Sequence, residues 1–333
     1  MTILSATCLF ALCFTLMSVS SFILGGSLEK LPARFHLSGG LLGMITALAA
    51  DTPEISSAIT ALFVKQHDIG IGIIIGSNIF NLAALLGLSA LITGRIPLKR
   101  QGIIFNGATS LLVTLIAILL ILKFIAPLVS VILLTILLIP YIFILTLNPD
   151  RLKQWKLQKN VRAFLAVAIS STRNTVNRRK IGIWKAFSGR WAIGISTVMI
   201  VLTSMGMVHA AVFLSDAWKV DKIIVGMFIL AILTSIPNTI TAIKLALYGN
   251  ETAVLSESLN SNTINILFGI AVSSAILGLG SLQPETIFSI WWLLGMTIIA
   301  LLLLYFKKGS SRISGAITIG LYLIFVVIIC IWR

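Results

Sequence analysis

The chain has 333 residues, 58% of them hydrophobic and 11% charged, with a mean hydropathy of +1.07. A soluble domain carries about 25% charged residues, so the composition excludes a soluble protein and places most of the chain in a bilayer. The net charge of +15 does not signal nucleic acid: eleven of the 25 Lys and Arg fall between Arg151 and Arg190, in one loop between apolar stretches, and such loops report membrane orientation first.

A spanning helix takes about 20 mostly apolar residues. Ten such stretches are predicted, at 3–26, 39–63, 69–93, 102–122, 125–147, 191–214, 222–247, 253–280, 286–306 and 313–332. None has the alternating polarity of a barrel strand. The first is expected to be a retained span rather than a signal peptide, because the first charge in the chain is Glu29 and no positive n-region precedes the apolar run. Cys8, Cys13 and Cys330 lie in apolar spans, fit no metal or haem spacing, and read as packing residues.

Loop charge gives the orientation. Lys30 and Arg34, then Arg95, Lys99 and Arg100, then the basic central loop, then Lys307, Lys308 and Arg312 all fall on one side, which is expected to be cytoplasmic. Both termini then face outward. Within the central loop, VRAFLAVAIS (161–170) is apolar between basic flanks. It reads as a helix lying in the interface, where anionic lipid is the partner, or as a solvated basic linker.

The second span contains ITALAADTPEISSAITAL (45–62), with Asp51 and Glu54 on either side of Pro53. A carboxylate at mid-span costs about 2.5–3.5 kcal/mol on insertion scales, so two of them call for a partner. No Lys or Arg lies near the centre of this span or its counterpart, Lys244 coming only towards the end of the latter. A bound cation or protons would serve; the alternative is a protonated acid pair that only caps a broken helix.

The pattern around these acids recurs. Pro53-Glu54 precedes GSNIFN (76–81), and Pro237-Asn238 precedes NSNTIN (260–265). One offset, 184 residues, relates Ala47 to Ala231, Glu54 to Asn238, Ser77 to Ser261 and Asn81 to Asn265. Each copy has five spans, an odd number, so the second starts from the opposite side of the membrane. Inverted repeats are a recurring architecture of secondary transporters, with the ion site where the copies meet. The expected fold is therefore an all-α membrane protein of two inverted five-helix repeats, 1–147 and 191–333, joined by a basic loop at 148–190. Proline within a span frees backbone carbonyls. These carbonyls, with Ser, Asn and carboxylate oxygens, are what hard cations bind.

ALAADTPEISSAITAL with GSNIFNLAALLGL, and LAILTSIPNTITAIKLAL with NSNTINILFGI, resemble the two α-repeats of the cation/calcium exchanger superfamily. The resemblance covers about 39–90 and 223–275. It implies a secondary antiporter exchanging a cation, expected to be Ca2+, against Na+ or H+ by alternating access, with no organic cofactor. The first and sixth spans would slide against a core built from the others. Carried over to the family motif, Glu54 takes the calcium-binding glutamate position, with Ala50 and Asp51 at its Thr and Ser positions. Ser77, Asn81, Thr234, Ser235, Ser261 and Asn265 match or stand at its remaining ligand positions, and Ala47 and Ala231 are counted with them.

This sequence departs from the motif at Asn238, which replaces the second glutamate, and at Asp51, which returns an acid to the first repeat. The formal site charge is then −2, all from one repeat. Asp51 and Glu54, if close, would not both ionise easily without a cation, so cation binding would release a proton. Glu257, one turn before Ser261, either joins the site or sits at the solvent end of its span.

His36 and His67 read as solvated loop residues. His209 reads as a packed residue, with a proton relay as the alternative. No Walker motif or dinucleotide fingerprint is present. An intramembrane aspartyl protease needs acids on two helices, and a serine protease needs a histidine that only His209 offers. Two other readings remain: a monovalent cation/proton antiporter, and a sensor that binds cations without moving them.

Overall fold

The computed structural model describes residues 1–28, 47–147, 158–172, 190–247 and 251–332. Among these residues, nine helices are long and apolar enough to cross a membrane. In chain order the helices are α1 (Ile3–Leu28), α2 (Thr52–Phe63), α3 (His67–Thr93), α4 (Arg100–Ile121), α5 (Pro127–Thr146), α6 (Lys159–Thr172), α7 (Arg190–Trp218), α8 (Lys222–Leu247), α9 (from Glu251 to Leu277), α10 (Pro284–Lys307) and α11 (Arg312–Ile331). The tenth expected span is the one ending in α2, and its first eight residues, 39–46, lie outside the described residues. The spans agree with the hydropathy reading to within a few residues.

Two features go beyond that reading. The helix that was one of two alternatives for the central loop forms as α6, and it packs against α4 and buries Ala168. A short strand at Arg95–Pro97 pairs antiparallel with Gly309–Ser311, Arg95 facing Ser311. It ties the connection after α3 in the first repeat to the connection after α10 in the second. Three-residue strands carry no hydrophobic period, so no pattern announces them.

The repeats are visible in backbone detail. α3 widens into π-helical turns over Leu82–Leu88 and α9 over Asn265–Val272. Each π segment follows, or begins at, one of the expected site asparagines, and such segments often lie at functional sites. α3 and α9 then end at Gly94 (φ +93°) and Gly278 (φ +83°), 184 residues apart in sequence. Both sit in the positive-φ region that glycine tolerates at helix ends.

α3 is the buried axis of the molecule, with 94% of its apolar window covered. It packs against α2, α8 and α10. The α3–α8 crossing is close because glycines line it. A Cβ on Gly76 would stand 2.3 Å from the Met227 carbonyl oxygen, and one on Gly226 would stand 2.7 Å from that of Ile69. Small residues let membrane helices approach in this way. Gly76→Ala is therefore expected to cost about 1–3 kcal/mol through overpacking, read as a lower melting temperature in detergent. Gly25→Ala, with nothing within 4 Å of the added Cβ, should melt like the parent. By contrast, α1 and α7 pack mainly along each other, with many apolar side chains facing outward.

Candidate cation site

The second span is helical at 47–50, turns at Asp51 (φ −84°, ψ −5°) and resumes as α2 with Pro53 in its first turn. Pro53 has no N–H, so the Ala49 carbonyl loses its helical donor. Pro237 inside α8 does the same to the carbonyl of Leu233. The two breaks face each other. Asp51, Glu54, Ser235 and Asn238 are all fully buried, and their side chains meet.

The hydrogen bonds run in one direction. Ser235 Oγ donates to Glu54 Oε1 at 2.9 Å. Asn238 Nδ2 donates to both Asp51 Oδ1, at 2.8 Å, and Glu54 Oε1, at 3.1 Å. Ser261 Oγ donates to Asp51 Oδ1 at 2.5 Å. The first repeat thus supplies both acids and the second supplies their donors. The 184-residue offset maps Asp51 onto Ser235 and Glu54 onto Asn238, so each acid is held by the counterpart of the other.

A second layer lies beneath, where α3 crosses α9. Asn78 Nδ2 donates to the Asn262 carbonyl and Asn262 Nδ2 to the Asn78 carbonyl, both at 3.1 Å. These residues are also 184 apart. Asn265 Nδ2 donates to Asn78 Oδ1 at 3.1 Å, and its mirror bond runs from Asn81 Nδ2 to Asn262 Oδ1 at 3.4 Å. Asn81 Nδ2 also reaches Ser261 Oγ at 3.0 Å. Asn78 and Asn262 were not among the expected site residues. The shared offset within GSNIFN and NSNTIN was the signal that would have found them.

Five side-chain oxygens in this cluster are buried and lack a hydrogen-bond donor among the described residues: Asp51 Oδ2, Glu54 Oε2, and Oδ1 of Asn81, Asn238 and Asn265. Leaving a buried acceptor unpaired costs about 1–3 kcal/mol. Carboxylate and amide oxygens together are a hard-cation donor set, so the residues present suit a cation as substrate.

The remaining expected positions contribute differently. Ser77 Oγ donates to the Ile74 carbonyl at 3.0 Å, and Thr234 Oγ1 to the Leu230 carbonyl at 2.9 Å. Both hydroxyls are spent on their own helices, with their oxygens buried beside the cluster. Ala47 and Ala231 are buried; the Ala47 carbonyl accepts the Asp51 N–H at 2.9 Å. Glu257 is half-buried on α9, and its charge acts on both Asp51 and Glu54. Among the described residues it completes no three-acid metal cluster with them.

Two histidine readings are corrected. His209 lies on the exposed face of α7, its Nδ1 2.9 Å from the Met205 carbonyl, because that face of α7 turns away from the core. His67 opens α3, half-buried beside Gly280, because the chain turns back tightly between α2 and α3. His36 lies outside the described residues.

The family description "Sodium/calcium exchanger protein" matches residues 5–187 and 188–331. The chain belongs to the sodium/calcium exchanger family. The chain is thus an integral membrane protein of that family. It is 35% identical over 71 residues to sodium/potassium/calcium exchanger 4 of Homo sapiens, a match spanning 21% of this chain and 11% of that protein. It is 22% identical over 321 residues to a putative antiporter, CaxA, of Alkalimonas amylolytica, over 90% of each chain.

Among solved structures, the chain superposes on the H+/Ca2+ exchanger CAX with a TM-score of 0.69 at 16% identity, over 98% of this chain and 82% of the other. It superposes on the sodium-calcium exchanger NCX_Mj at 0.62 and 21% identity, over 98% and 99%. At those identities the likeness speaks for the fold: two inverted repeats of helices.

Proposed function

We propose that the exchanger moves Ca2+ by alternating access, with H+ as the coupling ion, and that Asp51 and Glu54 carry the charge of the site. The observation that carries this reading is the one-sided hydrogen bonding of the two acids. Their Oδ1 and Oε1 atoms take every donor from the second repeat, and Oδ2 and Oε2 are left to face a ligand. Two carboxylates neutralise one divalent cation, and Asn81, Asn238 and Asn265 add neutral oxygens from α3, α8 and α9. Ser77, Thr234, Ser235 and Ser261 complete the set when their hydroxyls turn, with the carbonyls of Ala47 and Ala231 at its edges.

When the cation leaves, the same two oxygens can each take a proton. Metal ligands must be deprotonated to bind, so Ca2+ affinity is expected to rise with pH and fall as protons compete. Na+ as coupling ion is the second reading; the abundance of neutral oxygens beside the acids favours it. α1 and α7, which pack along each other more than on the rest, are suited to slide as a pair against the core. In this reading 1–147 and 191–333 are the two repeats, the termini lie outside, and the basic loop at 148–190 lies in the cytoplasm against anionic lipid.

The test is Ca2+ flux in proteoliposomes under an imposed proton gradient and, separately, a sodium gradient. Flux driven by protons alone supports the first reading, and flux driven by sodium alone replaces it with the second. Absence of Ca2+ flux on both gradients overturns calcium exchange.

A further inference from the structure

A second buried polar cluster lies outside the cation site, between α4, α5 and α9. The Tyr141 phenol oxygen is 2.7 Å from Asn106 Oδ1 and 2.6 Å from Asn260 Oδ1. Asn260 Nδ2 is 2.9 Å from Ser256 Oγ, and Asn106 Nδ2 is 2.8 Å from the Gly102 carbonyl. All three of Tyr141, Asn106 and Asn260 are buried. The Tyr141 ring stacks on Phe105, centroids 5.2 Å apart.

Proton counting sets the direction of this chain. A phenol has one proton and cannot donate to two oxygens. The Gly102 carbonyl only accepts, so Asn106 must keep Nδ2 towards it and Oδ1 towards the phenol. Asn260 has no such constraint, because the Ser256 hydroxyl can donate. Turning the Asn260 amide by half a rotation, which exchanges two nearly isosteric ends, satisfies every member. Ser256 then donates to Asn260, Asn260 to Tyr141, Tyr141 to Asn106, and Asn106 to Gly102.

The cluster joins the two repeats and occurs once, with no polar copy at the symmetry-related place. The 184-residue offset maps Tyr141 onto Phe325, Asn106 onto Ile290, Asn260 onto Gly76 and Ser256 onto Gly72. Every polar member has an apolar or side-chain-free counterpart. In that other place α3 is located by backbone contact with α8 at Gly76, which α9, carrying Asn260 there, cannot reproduce. α9 is the helix whose Ser261, the residue after Asn260, donates to Asp51.

We propose that Tyr141 is a positioning residue for cation binding: it holds Asn260, and with it the turn of α9 that keeps Ser261 on Asp51. This rests on the reading of Asp51 and Ser261 given above. Tyr141 itself touches no cation. Its loss should change affinity through Ser261 and leave the fold in place, since phenylalanine is what the other repeat uses at the matching position.

The test measures initial Ca2+ flux against Ca2+ concentration in proteoliposomes for the parent, Tyr141→Phe and Asn106→Leu. Tyr141→Phe is expected to raise the half-saturating concentration about five-fold, the scale of one neutral hydrogen bond, with the maximum rate little changed. Asn106→Leu leaves the Asn260–Tyr141 bond intact and should keep half-saturation near the parent value. An unchanged half-saturation in Tyr141→Phe, or equal rises in both variants, overturns the proposal in favour of plain packing. A parent that gives no Ca2+ flux refutes the transport reading instead, and equilibrium Ca2+ binding by the three purified proteins then decides the role of Tyr141. A parent that binds no Ca2+ overturns both.

Discussion

Glu54→Ala should abolish cation exchange while leaving the protein inserted and folded. Glu54 is fully buried, and its Oε1 accepts from Ser235 and Asn238. Removing it takes away half of the site's formal charge and one of the two carboxylate oxygens that face the ligand. A charged contact of about 3 kcal/mol corresponds to roughly a hundred-fold in affinity, and loss of a transported charge stops coupling as well. Insertion should not suffer, because a mid-span carboxylate costs about 2.5–3.5 kcal/mol and alanine does not. Ca2+ uptake in proteoliposomes, set against the amount of monodisperse protein recovered, checks both halves. Full uptake by the variant would remove Glu54 from the site.

Asn238→Glu is expected to move affinity the other way. At present the Asn238 amide bridges Asp51 Oδ1 and Glu54 Oε1 as a donor. It does so without charge, so it holds the two acids together in the absence of a cation. A glutamate there can no longer donate, and it brings a third negative charge among buried groups. Without cation the variant should melt below the parent, because the two bonds that Asn238 donates, each about 0.5–1.5 kcal/mol, are lost and a third acid is buried against the first two. With divalent cation the added oxygens become ligands, and the half-saturating Ca2+ concentration should drop by about ten-fold or more. The variant's melting temperature should therefore depend on Ca2+ far more steeply than the parent's. Unchanged divalent affinity would place Asn238 outside the ligand set.

Much of this molecule was legible in one dimension. The spans were, because a bilayer demands about 20 apolar residues per crossing and leaves few other solutions for the backbone. The repeat was legible because Pro53, Ser77 and Asn81 recur at one offset. The acids stood out because Asp51 and Glu54 are costly where they lie. His67 and His209 were misread, because loop membership was inferred for His67 from a short polar break and burial for His209 from span membership alone. A helix has an outward face, and hydropathy does not say which residue is on it.

By itself, then, the sequence determined a membrane protein of two inverted repeats with a polar centre, and it named the residues that could carry a cation. Only the tertiary structure decided how that centre is wired: Ser235, Asn238 and Ser261 of the second repeat donate to the acids that the sequence had placed in the first. It also decided the reciprocal pairing of Asn78 with Asn262 and the anchoring of Asn260 by Tyr141. These bonds join residues 119 to 210 positions apart. Helical periodicity relates only neighbours within a few turns, so contacts at that separation are set by how the two repeats pack face to face. That packing turns a list of oxygen-bearing residues into two carboxylates, each with one oxygen held by donors and one without a donor among the described residues.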